Sequence, residues 1–207
     1  MSQANLSPIP DLGTRTDEIT IFAGPCSIES AEQFDEVAAC VAGLGLHWIR
    51  GGAFKPRTNP HSFQGLGEDA LKIMKDAGDK YGLKTLTEVM DSAHCELVHS
   101  YVDGLQVGAR NFQNFSLLKN IGKVTAESGK MVLYKRGFAG TIAEWLAATD
   151  YLTAEGNDNV VLCERGIRTF ETATRFTLDI AAVPVIHKQS LYPVCIDVSH
   201  PGGQRDL

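Results

Sequence analysis

The sequence predicts a parallel α/β fold, and within that class a (β/α)8 (TIM) barrel represented by about seven of its eight strands. Three observations lead there. Seven short apolar runs, rich in β-branched residues, recur with centres about 20 to 40 residues apart, the spacing of repeated βα units. Helix-like segments with readable caps fill intervals between them. Charged or reactive residues close each run. The composition agrees: 43% of the 207 residues are hydrophobic and 21% charged, which excludes a disordered or collagen-like chain.

The elements follow in order. Met1 to Asp17 is polar and broken by Pro8, Pro10 and Gly13. It lacks the basic and apolar regions of a signal peptide, so residues 1–17 read as a short flexible arm on a cytoplasmic protein. The first run is Ile19 to Ala23. Ser30 with Gln33 makes a capping box for a helix carrying Phe34, Val37, Ala38 and Val41 on one face. The second run is Leu46 to Ile49. A helix over Ala70 to Tyr81 stops at Gly82 and leads to the third run, Lys84 to Thr87. Asp91 caps a helix through Leu97 and Val98, and Gly104 to Val107 is the fourth run. Met131 to Tyr134 is the fifth. Thr141 with Glu144 makes another capping box, followed by Trp145, Leu146 and Ala148. The last runs are Val160 to Cys163 and Tyr192 to Val198. With no low-complexity tract or interior linker, residues 18–207 read as one incomplete barrel domain. No stretch of about 18 apolar residues occurs, so no membrane span is expected.

Twenty-five acids against 19 Lys and Arg give a formal charge of -6, which speaks against a nucleic-acid partner. Five widely spaced cysteines (Cys26, Cys40, Cys95, Cys163 and Cys195) without a C-x-x-C argue for reduced thiols, most of them in the core. The ends of the runs are the informative part. They lead into Gly24-Pro25-Cys26-Ser27, Arg50 with Lys55-Pro56-Arg57-Thr58, Glu88, Gly108-Ala109-Arg110-Asn111, Lys135-Arg136-Gly137, Glu164-Arg165-Gly166, and Asp197 with Ser199-His200-Pro201. An open doubly wound sheet shares the strand–helix alternation but would spread these ends along an edge. A barrel gathers them on one face, where active sites are built. Gathered there, Arg50, Lys55, Arg57, Arg110, Lys135 and Arg165 would repel one another unless anions neutralise them. Phosphates and carboxylates, which arginine grips in bidentate fashion, are the simplest ligands. Arg136 and Arg168 remain open between site and solvated surface.

Cys26 and His200 are candidate ligands for a divalent metal, and thiolate with imidazole favours a transition metal over magnesium. Asp197 and Glu88 either add ligands or orient water and substrate. Three other patterns read as structural. Gly65-Leu66-Gly67 with Ala70 imitates a dinucleotide fingerprint but follows a loop rather than a strand. His94, Cys95 and His99 lack metalloprotease spacing and are expected on a helix surface. Cys163 lies within an apolar strand and is expected to pack.

These residues resemble the 3-deoxy-D-arabino-heptulosonate 7-phosphate (DAHP) synthase family, type Iβ. The markers are AGPCSIES (Ala23 to Ser30), GGAFKPRTNPHSFQGLG (Gly51 to Gly67), QVGARNFQNF (Gln106 to Phe115), LYKRG (Leu133 to Gly137), CERGIRTFE (Cys163 to Glu171) and IDVSHPGGQRDL (Ile196 to Leu207). The resemblance implies a (β/α)8 barrel that condenses phosphoenolpyruvate with erythrose 4-phosphate, the entry step of the shikimate pathway. It assigns phosphoenolpyruvate to Arg50, Lys55, Arg110, Lys135 and Arg165, and the sugar phosphate to Arg57 and Thr58. It gives a divalent metal (Mn, Fe, Co or Zn) to Cys26 and His200. Lys55, Glu88 and Asp197 are the catalytic candidates, with Glu88 expected beside the phosphoenolpyruvate-binding residues, where it can orient the attacking water. The related octulosonate 8-phosphate synthase uses the same barrel on a five-carbon sugar phosphate, and Lys55-Pro56-Arg57-Thr58 favours the four-carbon one. The family's metal site has a further Glu and Asp beyond the seventh strand, past Leu207. A complete barrel takes about 250 residues, so the expectation is a chain short of its last βα unit. Bare edges on the outer strands favour association, hence a homo-oligomer. The alternative to a working synthase is a fragment that binds phosphoenolpyruvate without turnover.

Overall fold

The computed structural model describes residues 19–56, 59 and 61–204. The N-terminal arm and the sugar-phosphate candidates Arg57 and Thr58 lie outside the described residues. The chain divides into an N-terminal unit ending at Gln106 and a C-terminal unit starting at Val107.

In the N-terminal unit the strands are β1 (Phe22–Ala23), β2 (Trp48–Arg50), β3 (Lys84–Glu88) and β4 (Gly104–Val107), the last of which ends on the first residue of the C-terminal unit. Each pairs in parallel with the next: Phe22 opposes Trp48, Ile49 opposes Thr85, and Glu88 opposes Gln106. The C-terminal unit continues with β5 (Met131–Lys135), β6 (Val160–Glu164) and β7 (Val194–Ile196), again parallel, with Cys163 opposite Cys195. Parallel neighbours in chain order need a crossover each, and helices supply them. These are the seven predicted strands, in the βα order of a (β/α)8 barrel. All residues of β5 and β6 are buried, as expected for parallel strands covered on both faces.

The outer strands are shorter than their apolar runs. β1 keeps two residues of Ile19 to Ala23, and Ile19 is 89% exposed. Its partner β2 has only three residues, which limits the ladder. β7 starts after Pro193, which has no N–H to donate, and Val198 beyond it is exposed.

The helices are α1 (Ala31–Gly43), α2 (Glu68–Tyr81), α3 (Cys95–Tyr101), α4 (Phe115–Thr125), α5 (Ile142–Thr153), α6 (Ala182–Gln189) and the single turn α7 (Ser199–Gly202). In α1 the Ser30 hydroxyl accepts from the Gln33 N–H. The return bond is displaced by one residue, because Gln33 Oε1 accepts from Glu29 N–H rather than from the cap itself. Phe34, Ala38 and Val41 are buried, an i, i+4, i+7 stripe. α2 ends as predicted at Gly82, whose φ of 67° and ψ of 32° is the left-handed cap glycine favours. Gly78 lies against β3, where an added Cβ would come 2.8 Å from Thr85 Cγ2. Asp91 caps a 3-10 turn, Ser92–His94, that runs into α3. Helix α5 has the full capping box. Thr141 Oγ1 accepts from Glu144 N–H, and Glu144 Oε2 accepts from Thr141 N–H. Trp145, Ala148, Thr149 and Leu152 face the core, whereas Leu146 falls off that stripe and is half-buried. Thr141→Ala is expected to cost about 1 kcal/mol in urea unfolding, since it removes the side-chain acceptor of the Glu144 N–H. A loss below about 0.3 kcal/mol would mean the box adds nothing.

No cysteine is in a disulfide. Only Cys95 and Cys163 are buried, while Cys26 and Cys40 are exposed, so the core expectation holds for the minority. Cys95 is fully covered on the inner side of α3, correcting its assignment to a helix surface. Burial pushes the Cys95 thiol up to about 11, with Asp91 and Glu96 adding to the shift. At pH 8 a thiol reagent is therefore expected to modify Cys40 quickly and to leave Cys95 unmodified until the chain unfolds. Equal labelling rates for the two would contradict this packing.

Candidate active site

The residues singled out from the sequence sit where strands end, and each unit builds its own set. In the N-terminal unit Arg50 closes β2. The preceding connection passes so close that a Cβ on Gly24 would come 2.0 Å from Arg50 O, and Gly24 holds a φ of 138° that only glycine takes easily. Lys55 is buried in the loop after β2 and donates from Nζ to Cys26 O at 2.6 Å and to Cys26 Sγ at 3.0 Å. Its side chain crosses Gly52, where a Cβ would meet Lys55 Cδ at 2.7 Å and Cys26 O at 2.6 Å. Gly52 thus keeps open the channel through which the ammonium reaches Cys26. Glu88 closes β3 and accepts from Gln106 Nε2 at 3.3 Å.

In the C-terminal unit, Lys135 at the end of β5 donates to Asp197 Oδ2 at 2.7 Å, and both side chains are 10% exposed. The same oxygen lies 2.6 Å from His200 Nδ1. Asp197 Oδ1 accepts from the N–H groups of Ser199 and His200, which ties the α7 turn to the end of β7. Burial pushes the Asp197 carboxyl upward, but the His200 hydrogen bond and the Lys135 ammonium outweigh it and hold it well below the usual carboxylate range. Asp197 is therefore an anchored anion.

Arg165 follows β6 and is 5% exposed. Its guanidinium lies over two stacked rings, 4.1 Å from the Phe176 centroid and 5.0 Å from that of Phe138. Among the described residues its hydrogen bond is a long one, Nη1 to Gly166 O at 3.3 Å. A guanidinium carries five N–H donors, so most of this buried fork is unspent. Burial lowers its affinity for its proton from the ordinary arginine value, and Arg175 nearby adds to that. Arg110 and Arg168 share the Phe138 ring, at 5.8 and 5.1 Å. Arg110 is exposed and lines an open cleft of about 600 Å3 with Asn111, Phe112, Phe138 and Gly140.

The structure thus pairs Lys55 with Cys26 in one unit, and joins Lys135, Asp197 and His200 in the other. It gathers Arg110, Arg165 and Arg168 around Phe138. Arg136, left open by the sequence, is buried and committed to Glu164 at 2.9 Å and Asp179 at 2.8 Å. Neither acid was singled out as a site residue. The available signal was a glutamate closing the otherwise apolar run Val160 to Cys163.

The metal candidates have suitable chemistry. His200 turns Nδ1 to a carboxylate, the arrangement common among metal-binding histidines. Cys26 is exposed and offers sulfur. Among the described residues no group of three or more His, Cys, Asp or Glu is placed to hold a metal ion. His94 is stacked on Phe54 with centroids 4.7 Å apart, a packing role. Among the described residues no helix is long and apolar enough to cross a membrane.

Comparison with known proteins is specific. The sequence profile of the DAHP synthetase I family matches residues 12–207. The chain is 52% identical over 188 residues to a phospho-2-dehydro-3-deoxyheptonate aldolase of Thermotoga maritima, covering 91% of this chain and 54% of that protein. It is 31% identical to a 2-dehydro-3-deoxyphosphooctonate aldolase of Caulobacter vibrioides, covering 91% of this chain and 67% of that one. The crystal structure of the Thermotoga maritima aldolase, a DAHP synthase, matches with a TM-score of 0.86 at 49% identity, over 93% of this chain and 54% of that one. The chain spans about half the length of the Thermotoga relative.

Proposed function

Since the chain belongs to the DAHP synthetase I family, we propose that it serves the condensation of phosphoenolpyruvate with erythrose 4-phosphate to 3-deoxy-D-arabino-heptulosonate 7-phosphate and phosphate. The observation that carries this reading is Arg165: a buried guanidinium with unspent donors, held on two aromatic faces. Such a group is made to receive an anion.

Arg50, Lys55, Arg110, Lys135 and Arg165 hold the phosphate and carboxylate of phosphoenolpyruvate, and Arg57 with Thr58 hold the sugar phosphate. The enol carbon attacks the aldehyde carbon. Water adds to the cationic carbon that develops, and phosphate leaves. Glu88 orients that water, and the Lys55 ammonium offsets charge growing on the aldehyde oxygen. Asp197 acts through its neighbours, fixing Lys135 and the ring of His200. Cys26 and His200 would hold a divalent metal, which when bound supplies Lewis-acid polarisation of the aldehyde. Holding both substrates in register lowers the barrier by about 7 to 11 kcal/mol.

Higher identity to the heptonate aldolase than to the octonate aldolase favours the four-carbon sugar phosphate. The test is phosphate release with both substrates and manganese, before and after chelation. Release that needs both substrates and stops on chelation supports the reading. Release unaffected by chelation and by Cys26→Ala contradicts the metal role. Preference for a five-carbon sugar phosphate contradicts the substrate.

A further inference from the structure

We propose that Glu164 is a positioning residue, whose buried carboxylate fixes the loop that presents Arg165 to the substrate anion. The inference rests on the anion-binding role given to Arg165 above. Glu164 and Arg165 are consecutive, so the alternation at the strand end sends their side chains to opposite sides. Glu164 is fully buried. Its Oε1 accepts from Gly166 N–H at 2.7 Å and from Asp179 N–H at 3.4 Å. Its Oε2 accepts from Arg136 Nη1 at 2.9 Å, and the same nitrogen donates to Asp179 Oδ2 at 2.8 Å. Arg136 Nε donates to Gly140 O at 2.9 Å. One carboxylate therefore ties both ends of the segment 165–179 to each other and, through Arg136, to the loop after β5.

The connection to Arg165 is short. Glu164 holds the Gly166 N–H, and Gly166 O is the acceptor of Arg165 Nη1. Gly166 takes a φ of 89°, and a Cβ there would come 2.8 Å from Phe176 Cβ. Gly166 is thus held by the carboxylate at its N–H and closed in by the Phe176 β-carbon and Pro201. Within the segment, Ile167 and Thr177 exchange backbone hydrogen bonds at 2.9 Å, and Arg168 N–H donates to Phe138 O at 2.7 Å. These bonds bring Phe138 and Phe176 to the two sides of one clasp. A buried ion pair adds little net stability compared with apolar packing of the same volume. What the Arg136–Glu164–Asp179 set supplies here is a single loop geometry that leaves the Arg165 donors unspent.

The experiment uses the 207-residue chain labelled with 15N-arginine, in wild-type, Glu164→Gln and Asp179→Asn forms. It reads the Arg165 Nε–Hε resonance, assigned by its loss in Arg165→Lys, and titrates phosphoenolpyruvate by calorimetry. A purely structural role lowers the unfolding midpoint but leaves this resonance unchanged in the folded chain. Folded Glu164→Gln is expected to shift or broaden it and to weaken phosphoenolpyruvate about tenfold, the lower end of what loss of a supporting partner costs at metal sites. Asp179→Asn is expected to do the same to a smaller degree. An unchanged Arg165 resonance in folded Glu164→Gln overturns the proposal. If Glu164→Gln does not fold, the resonance in Asp179→Asn decides, a shift supporting the proposal and no shift overturning it. If the wild-type chain does not bind phosphoenolpyruvate, the anion role of Arg165 fails, and the resonance still decides whether Glu164 positions it.

Discussion

Arg165→Ala is expected to weaken phosphoenolpyruvate binding by about 2 to 5 kcal/mol, roughly 30- to 5,000-fold in dissociation constant. The size follows from burial. Arg165 is 5% exposed, so an anion bound to it meets a poorly screened charge. Its guanidinium is already oriented on Phe138 and Phe176, and little side-chain entropy remains to be lost on binding. The fold gains little from the charge itself, because burial works against the protonated form. Arg165→Met, which keeps the stem and packs on the same rings, should therefore unfold at the same urea concentration or higher while losing the ligand. A variant that loses stability and keeps its affinity would reverse this assignment. Arg165→Lys should recover part of the binding at most, since one ammonium cannot reproduce the planar fork.

Asp197→Ala has the other large effect, on the fold itself. Asp197 faces the Lys135 ammonium at 2.7 Å and His200 Nδ1 at 2.6 Å. Removing it leaves a buried lysine without its counter-charge and takes the acceptor from the N–H groups of Ser199 and His200. Loss of one member of a buried pair costs about 3 to 5 kcal/mol, a large part of the 5 to 15 kcal/mol typical of a whole domain. Urea unfolding followed by circular dichroism measures it. Replacing both partners, Lys135→Met with Asp197→Leu, should recover most of the loss, because the penalty belongs to the unpaired charge. A double variant as unstable as Asp197→Ala would place the cost elsewhere.

The strand pattern was legible in the sequence because it is local. Apolar runs such as Val160 to Cys163 and caps such as Thr141 with Glu144 need only a few neighbouring residues to be recognised. The charge closing each run was legible for the same reason. Helix α4 was missed although a local signal was there: the Asn114 side chain accepts from Leu117 N–H, ahead of buried Leu117, Leu118 and Ile121. Partners were not legible, because they are distant along the chain. Arg136 reaches Glu164 across 28 positions and Asp179 across 43, and nothing local separates it from Arg165. Two cations of adjoining motifs thus take opposite fates, one locked between carboxylates and the other left open. The same holds for Cys95. Its spacing with His94 and His99 was visible, but the direction of its side chain depends on how α3 packs.

Calorimetric titration of the chain with phosphoenolpyruvate, on wild-type, Arg110→Ala and Arg165→Ala proteins, tests the central claim most directly. The claim is that strand-end cations of the C-terminal unit, Arg110 and Arg165 over the Phe138 ring, receive one anionic substrate. It predicts one saturable site that weakens at least about 30-fold in Arg165→Ala, where a buried charge-assisted contact is lost, and by a smaller factor in Arg110→Ala, whose side chain is exposed. A wild-type chain that takes up no phosphoenolpyruvate, or two variants that bind it as tightly as the wild type, would contradict it.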